Sequence, residues 1–242
     1  MNPITTIPAL VKTISSFNKF NKNIPAIKAL RQEGNIEAEK ELIFKASGKW
    51  AEDLSRELRI HYDIQGEENI PESGPIMVYC NHQGLVDILA IYYLFRNHFQ
   101  IGFISKNEWR KAKPLATAIE YTRSLFLERN NSREALKTIV EACELLDNGF
   151  SLAIFPEGTR SQSHEMGEMK LGAFKFAERA NVPILPITLD GSYKVMEETG
   201  SFKADQTVTI KVHPIVCIDK MDRAERKQAY ADIIETIRGG LN

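Results

Sequence analysis

The chain has 242 residues, 43% of them hydrophobic and 26% charged, and its formal net charge is −1 at pH 7. This length and composition suit a globular protein with one substantial core. Its three cysteines lie far apart with no Cys-x-x-Cys pair, which argues against a disulfide framework or a zinc site and fits a reducing cytosol. No stretch reaches the roughly 18 apolar residues of a membrane span, and the N-terminus lacks the apolar region of a signal peptide.

The first 58 residues form a segment with its own charge pattern. Five basic residues and no acidic ones lie between Met1 and Arg31, so the remainder of the chain carries a formal charge of −6. Apolar residues recur at helical spacing, basic residues lie mostly on the other side, and the pattern breaks at Pro25 and at Gly34-Asn35. We therefore predict an amphipathic segment over residues 1–58 that consists of two helices joined near Gly34-Asn35.

Two interpretations of this N-terminal segment stay open on sequence grounds. One is a pair of helices that packs on the rest of the protein. The other is a basic amphipathic anchor that lies in a membrane interface, where apolar burial supplies most of the binding and the charges select an anionic surface. In the second case the interfacial residues are Ile7, Leu10, Val11, Lys12, Ile14, Phe17, Lys19, Phe20 and Lys22.

Residues 59–242 alternate between strand-like and helix-like stretches, which predicts one layered α/β domain. The strands are predicted at 59–64, 76–80, 101–106, 125–129, 150–155, 182–188 and 208–216, the first of them at an edge. Helices are predicted at 88–95, 132–146, 170–177 and 221–238, with a further helix after Lys106 that Pro114 is expected to kink. The strand at 182–188 carries Pro183 and Pro186. Because proline is poorly tolerated in central strands, we expect this strand to form an edge or a shaped pocket wall.

The most informative stretch follows the second predicted strand, where Asn81-His82 leads into Gly84 and a helix. His82 and Asp87 are five residues apart, so on one continuous helix they would lie about 140° apart and could not meet. If His82 lies in the turn and Asp87 in the first helical turn, the carboxylate reaches the imidazole. A general base and the group that orients it would then form one local unit. Taken alone, the His-x4-Asp spacing also fits an unreactive histidine and an aspartate placed against the helix dipole.

Groups suited to an anion follow three other predicted strands. Lys106 and Arg129 each end a strand, and two cations delivered to the same edge of a sheet could form an anion site. The alternative for each is an ordinary solvated side chain. The strand at 150–155 runs into the sequence Glu157-Gly158-Thr159-Arg160-Ser161. Its glycine permits close backbone approach to a ligand, its hydroxyls can hydrogen-bond, and its arginine offers a planar donor fork for phosphate.

Four blocks in order carry a resemblance to a known family. They are Asn81 to Asp87, Leu125 to Arg129, Phe155 to Ser161 and Val182 to Ile187. Together they resemble the glycerolipid acyltransferase family, and most closely its bacterial 1-acyl-sn-glycerol-3-phosphate acyltransferases, the PlsC-like enzymes. The resemblance spans about residues 60–217 and implies an acyltransferase domain with a mixed central sheet flanked by helices. Glu128, and a stretch at 162–169 without the usual glycine-centred pattern, depart from the family.

The resemblance implies acyl transfer from acyl-carrier protein or acyl-CoA to the 2-hydroxyl of lysophosphatidic acid, giving phosphatidic acid for phospholipid biosynthesis. It also implies a peripheral enzyme on the cytoplasmic face of the cell membrane, in contact with anionic phospholipid, with no metal, no other cofactor and no nucleic-acid partner. His82 and Asp87 would be catalytic, and backbone N–H groups near the helix start would hold the oxyanion. Glu157 would organise the arginines or a glycerol hydroxyl, while Pro183 and Pro186 would shape the acyl pocket. The implied acceptor-binding residues are Lys106, Arg129, Glu157, Gly158, Thr159, Arg160 and Ser161.

Other functions remain open at this point. A family member could acylate glycerol 3-phosphate or another lysolipid. A lipid hydrolase could use the same histidine and aspartate to activate water, and it would release free fatty acid without an acceptor. A catalytically silent phospholipid-binding module is also compatible with the sequence.

Overall fold

The computed structural model describes residues 2–113 and 115–241, so the kink expected at Pro114 lies outside the described residues. Within these ranges the helices are α1 (Pro3–Asn21), α2 (Ile24–Gln32), α3 (Ile36–Leu58), α4 (Val86–Phe95), α5 (Leu115–Tyr121), α6 (Ser132–Asp147), α7 (Lys175–Ala180) and α8 (Arg223–Gly239). The strands are β1 (Ile60–Gln65), β2 (Met77–Cys80), β3 (Ile101–Lys106), β4 (Leu125–Leu127), β5 (Ser151–Ile154), β6 (Ile184–Asp190) and β7 (Gln206–Val212). Every predicted strand is present, with ends shifted by a few residues.

The strands form one mixed sheet in the order β1-β7-β6-β2-β5-β3-β4. Five neighbouring strands, from β6 to β4, run parallel to one another. Strand β7 is antiparallel to β6, and β1 is parallel to β7 at the edge of the sheet. The predicted mixed sheet and the edge position of β1 are therefore confirmed. Because the five parallel strands end on the same side, the loops that follow them share one rim of the sheet.

Helices cover both faces of the sheet, and strand β2 shows why this requires an apolar run. All four of its residues are buried, and alternate residues point to opposite faces. Val78 and Cys80 belong to a core that includes residues of α3 and α4. Met77 and Tyr79 belong to a second core that includes residues of α6, α7 and α8. A strand buried on both faces must be apolar at every position, as observed.

The expected N-terminal helical segment is present: α1 and α2 lie before the Gly34-Asn35 break, and the stretch up to Leu58 forms a third helix, α3. The break at Gly34-Asn35 separates α2 from α3, and the side chain of Asn35 caps α3 by accepting the N–H of Ala38. Residues of α3 such as Leu54 and Leu58 lie in the same core as residues of the sheet. The long helix α3 therefore packs directly on the α/β layers.

Helix α1 turns a different face to the protein from the one its apolar pattern suggests. Its buried residues are Thr6, Ala9, Ser16 and Phe20, and Phe17 stacks on Trp50 with ring centroids 5.2 Å apart. Phe20 is buried and Phe17 is half-buried, so their assignment to an exposed interface is wrong; the small side chains of this face let α1 approach α3 closely. The residues left exposed form an apolar stripe, defined as Ile4, Ile7, Leu10, Val11 and Ile14.

Two of the lysines assigned to the membrane interface are bound to the protein. Lys12 Nζ donates to the backbone oxygen of Glu57 at 2.7 Å, and Lys19 Nζ lies 2.9 Å from the Glu57 carboxylate. Lys22 is exposed just after the helix. Both lysines remain exposed at the surface while they contact Glu57 of α3. No helix among the described residues is long and apolar enough to cross a membrane.

A buried carboxylate links the N-terminal helices to the sheet. Glu39 of α3 is 1% exposed and accepts from Arg31 at the end of α2 at 2.7 Å. It also accepts from Arg123 at 2.8 and 2.6 Å through two nitrogens. Arg123 precedes β4 and has a left-handed backbone conformation, with φ of 59°. Paired donors on both carboxylate oxygens are the condition under which a buried charge is tolerated.

Strand β6 lies inside the sheet, which corrects the expectation that its prolines mark an edge. Pro186 is buried and stands opposite Tyr79 of β2 in the parallel register. Its carbonyl accepts from the N–H of His213 at 3.0 Å, just beyond the end of β7. In a β-strand, the N–H and the C=O of one residue point to the same neighbouring strand. The N–H that Pro186 lacks would therefore point toward β7, at the position where pairing between β6 and β7 begins. A central position is tolerated because little of the ladder is lost there.

Candidate active site

The shared rim of the sheet gathers the predicted site residues. His82 follows β2, the segment 157–161 follows β5, Lys106 ends β3, and Arg129 follows β4 by two residues. Lys106 stands opposite Leu127 in the register of β3 and β4, so both cations reach the same end of the sheet. These positions follow from the parallel arrangement of β2, β5, β3 and β4 alone.

His82 and Asp87 meet as the spacing predicts. His82 Nδ1 lies 2.8 Å from Asp87 Oδ2, with His82 in the turn after β2 and Asp87 in the first turn of α4. Asp87 is fully buried, whereas the side chain of His82 retains 16% exposure. Because an ionised carboxylate only accepts hydrogen bonds, Nδ1 carries the proton and Nε2 is left as the basic nitrogen. The pair has the geometry of a general base and its orienting group.

The backbone N–H groups around this turn donate hydrogen bonds to three carboxylates. The N–H of His82 donates to Glu157 at 2.7 Å, those of Gln83 and Gly84 donate to Asp87 at 2.7 and 2.8 Å, and that of Leu85 donates to Glu197 at 2.8 Å. These donors would otherwise be unsatisfied at the start of α4. The expectation that they hold an oxyanion is therefore wrong in this structure, because each already has a carboxylate partner.

The residues on either side of His82 fix the turn. The side chain of Asn81 exchanges two hydrogen bonds with the backbone of Leu189 in β6, at 2.8 and 2.7 Å. The side-chain nitrogen Nε2 of Gln83 donates to the carboxylate of Asp190, at the end of the same strand, at 3.2 Å. The imidazole of His82 stacks on Phe155, with ring centroids 4.0 Å apart. The orientation of His82 is thus set by β5, β6 and α4 together.

Glu157 has a different role from the one predicted. It is 4% exposed, and its two oxygens accept the N–H groups of His82 and Gly167, at 2.7 and 2.8 Å. Burial raises the pKa of Glu157 above its ordinary value, while these two hydrogen bonds act in the opposite direction. This corrects the expectation that Glu157 organises the arginines, since its oxygens are engaged by the two loops that enclose the site.

The two arginines lie on different partners. Arg129 Nη1 donates to the carbonyl of Gly158, and desolvation lowers the pKa of Arg129 without removing its charge at neutral pH. Gly158 has φ of 73°, and a Cβ there would collide with the Arg129 guanidinium. Arg160 instead pairs with Glu197, Nη1 to Oε1 at 2.8 Å. Arg129 thus contacts the loop after β5 from a neighbouring loop, whereas Arg160 is part of that loop and pairs with a carboxylate distant in sequence.

The hydroxyl residues of this loop serve partly as scaffold. Thr159 is exposed. The backbone N–H of Ser161 donates to the carbonyl of His82 at 2.7 Å, and its hydroxyl donates to Ser163 at 3.1 Å. The N–H of Gln162 donates in the same way to Gln83 at 3.1 Å. The loop after β5 therefore runs alongside the His82 turn and is joined to it by backbone hydrogen bonds.

Sequence reasoning did not find Glu197 or the positioning role of Phe155. Glu197 lies in a polar loop between a short 3-10 turn at Ser192–Val195 and β7, among residues that read as an ordinary solvated loop. No spacing relates it to Arg160 or Leu85, from which it is far apart in sequence. Phe155 offered a weak signal, as the last apolar residue of a buried strand next to Pro156-Glu157.

The chain is similar in sequence to known acyltransferases. The sequence pattern of the Acyltransferase family matches residues 61–190. The chloroplastic 1-acyl-sn-glycerol-3-phosphate acyltransferase of Brassica napus is 38% identical over 140 residues, which are 57% of this chain and 40% of that protein. The 1-acyl-sn-glycerol-3-phosphate acyltransferase of Borreliella burgdorferi is 28% identical over 174 residues, 72% of this chain and 69% of that protein. The alignments thus span from about two fifths to about two thirds of these relatives.

The fold also has a solved counterpart. The crystal structure of the 1-acyl-sn-glycerophosphate acyltransferase PlsC of Thermotoga maritima superposes with a TM-score of 0.71 at 24% identity, covering 95% of each chain. At this identity the likeness establishes the shared architecture. The family pattern covers nearly all of β1, β2 with its His82 turn, the arginine-bearing loops and β6, and so includes the site described above apart from Glu197. The chain belongs to the Acyltransferase family.

Proposed function

We propose that this protein transfers a fatty acyl group from an acyl thioester to the 2-hydroxyl of lysophosphatidic acid, giving phosphatidic acid. The observation that carries the proposal is the 2.8 Å contact between His82 and Asp87, placed on a rim that also holds Arg129 and Arg160. The names of the relatives in Brassica napus and Borreliella burgdorferi support this acceptor. The thioester is carried by acyl-carrier protein or coenzyme A.

In this mechanism His82 is the general base. Its Nε2 accepts the proton of the acceptor hydroxyl, whose oxygen attacks the thioester carbonyl carbon. The carbon–sulfur bond then breaks, and the imidazolium gives its proton to the leaving thiolate, which restores neutral His82. Asp87 keeps the proton of His82 on Nδ1 and stabilises the positive charge as it forms. No covalent acyl-enzyme is required, because the hydroxyl attacks the donor directly.

The cations of the rim bind the acceptor phosphate. Arg160 and Arg129 present planar guanidinium groups, and Lys106 adds a flexible ammonium at the end of β3. Each arginine is partly held by a protein acceptor and retains further N–H donors, since a guanidinium has five. The phosphate thus lies beside the base, which places the 2-hydroxyl of the glycerol unit within reach of His82.

Membrane association follows from the location of the substrates. Lysophosphatidic acid and its product reside in bilayers, so the enzyme must work at their surface. The apolar stripe of α1 supports this: Ile4 is 80% exposed, and Ile7 and Val11 are 57% and 59% exposed, although burial in the protein would have been favourable for each. Burying such side chains in the interface yields roughly 1.5–3 kcal/mol apiece. We place the enzyme on the cytoplasmic face of the cell membrane as a peripheral protein.

The test is product analysis with a defined acceptor and donor. Lysophosphatidic acid is supplied with acyl-carrier protein thioester in one arm and acyl-CoA in another, and products are separated by thin-layer chromatography. We expect phosphatidic acid from at least one donor, and none from a folded His82→Ala variant. Acylation of glycerol 3-phosphate in place of lysophosphatidic acid, or release of free fatty acid without acceptor, would contradict the proposal.

A further inference from the structure

Glu197 joins two parts of the site that are distant in sequence. It lies 3% exposed, and its Oε1 accepts both Arg160 Nη1 and the backbone N–H of Leu85, each at 2.8 Å. Arg160 belongs to the loop after β5, and Leu85 directly precedes α4, the helix that carries Asp87. One carboxylate oxygen of Glu197 thus holds the Arg160 guanidinium against the first turn of α4.

The second oxygen shows how closely this carboxylate is enclosed. Oε2 is buried and has no hydrogen-bond partner among the residues that the structure describes. It lies against Gly84, where an added Cβ would come within 2.7 Å of it. A buried carboxylate oxygen without a donor is costly, so the negative charge is tolerated here because Arg160 neutralises it. Glu197 and Arg160 therefore depend on each other.

We propose that Glu197 is a positioning residue that orients Arg160 toward the acceptor phosphate; this rests on the phosphate-binding role of Arg160 in the proposed function. One Arg160 nitrogen is held by Glu197, while the side chain keeps 31% exposure for its remaining donors. A free arginine side chain would lose rotamer entropy on binding phosphate. Holding it in place beforehand removes part of that cost and strengthens acceptor binding.

The test is a double-mutant cycle with Glu197→Gln and Arg160→Ala. The amide oxygen of glutamine can still accept from Leu85, but the ion pair with Arg160 is lost. We expect Glu197→Gln to raise the KM for lysophosphatidic acid about tenfold, the scale of one charge-assisted hydrogen bond, with kcat and the donor KM nearly unchanged. In the Arg160→Ala background the same substitution should have no further effect on KM.

The matched control is Glu198→Gln, which removes the same charge one residue away. Glu198 pairs with Lys203 on the surface, and its side chain is 44% exposed. We expect wild-type kinetics from this control. A Glu197→Gln effect that persists at full size in the Arg160→Ala background would overturn the proposal, since Glu197 would then act through Leu85 and the stability of α4.

A binding measurement separates this inference from the proposed reaction. Short-chain lysophosphatidic acid is titrated calorimetrically into wild-type protein and each variant, without donor. Weaker binding by Glu197→Gln that depends on Arg160 supports the positioning role even if no acyl transfer is detected. Equal binding by the wild type and Glu197→Gln, or no binding by the wild type, overturns it. Acyl transfer by the wild type is judged independently by product analysis.

Discussion

Asp87 Oδ2 accepts three hydrogen bonds at once, from His82 Nδ1 at 2.8 Å and from the N–H groups of Gln83 and Gly84 at 2.7 and 2.8 Å. The same oxygen that orients the imidazole therefore also closes the turn between β2 and α4. Hydrogen bonds from the backbone hold the carboxylate where the imidazole needs it.

This arrangement predicts the effect of Asp87→Asn. An asparagine oxygen in the same place can keep the hydrogen bonds, but it carries no charge to stabilise the imidazolium. We expect kcat to fall about 10²–10⁴-fold while the protein still folds. The measurement is steady-state acyl transfer, with circular dichroism as the check on folding. Asp63→Asn, on the exposed side of β1, is the matched control. Near-wild-type turnover by Asp87→Asn would show that the imidazole works without its partner.

Gly158→Ala should damage both stability and acceptor binding. The position has φ of 73°, which costs an alanine about 1–3 kcal/mol, and the new methyl group would displace Arg129. We expect lower thermal stability together with a higher KM for lysophosphatidic acid. Gly172→Ala is the control, because a Cβ at Gly172 meets no atom within 4 Å. If the two variants have equal thermal stability and equal KM for lysophosphatidic acid, the close contact of Gly158 with Arg129 contributes to neither property.

The apolar stripe of α1 predicts membrane binding that charge can abolish. Placing aspartates at Ile7 and Val11 removes two apolar groups and adds repulsion from anionic lipid. We expect affinity for vesicles containing phosphatidylglycerol to fall by about 10²-fold or more in cosedimentation. Thr5→Asp with Ala26→Asp adds the same charge to exposed positions of α1 and α2 outside the stripe and should retain most binding. If both double variants bind equally, α1 is not the membrane contact.

The carboxylate of Glu39 predicts a large loss of stability on Glu39→Gln. The change leaves Arg31 and Arg123 without their shared anion at a buried site. We expect the free energy of unfolding to fall by about 2–4 kcal/mol, below the upper values for buried pairs because both guanidinium groups keep contact with water. Glu37→Gln on the same helix removes an exposed pair with Lys40 and should cost no more than about 0.5 kcal/mol. Urea denaturation of the two variants makes the comparison.

His213 predicts a pH dependence of stability. Burial, and secondarily Lys211, lower its pKa below the ordinary value of about 6.5. Between the folded and unfolded pKa values the unfolded chain binds more protons, so the free energy of unfolding falls as the pH is lowered through about 6.5. A His213→Asn variant should lose this part of the dependence. If the free energy of unfolding falls by the same amount in the two proteins between pH 7.5 and 5, His213 is not the group responsible.

Much of this protein is determined by local sequence pattern. The sequence pattern predicts all seven strands. Strands β2, β5 and β6 are buried on both faces and therefore read as apolar runs, whereas β1 and β7 alternate between buried and more exposed residues. The meeting of His82 with Asp87 is likewise local, since five residues and a turn suffice to bring them together. Helix α6 begins at Ser132 as predicted, and the side chain of Asn131 caps it by accepting the N–H groups of Arg133 and Glu134.

The tertiary structure decided between packing arrangements that the sequence pattern allows equally. Helix α1 has an apolar side and a side of small residues, and only packing against α3 shows that the second is buried, with Phe17 and Phe20 carried along. Pro186 is tolerated in a central strand because of where pairing with β7 begins. Glu197 reaches Arg160 across 37 residues of sequence, and no local signal can reveal that contact. Sequence periodicity reports the preference of each segment for burial, whereas the choice of partner depends on which distant surfaces the completed sheet brings together.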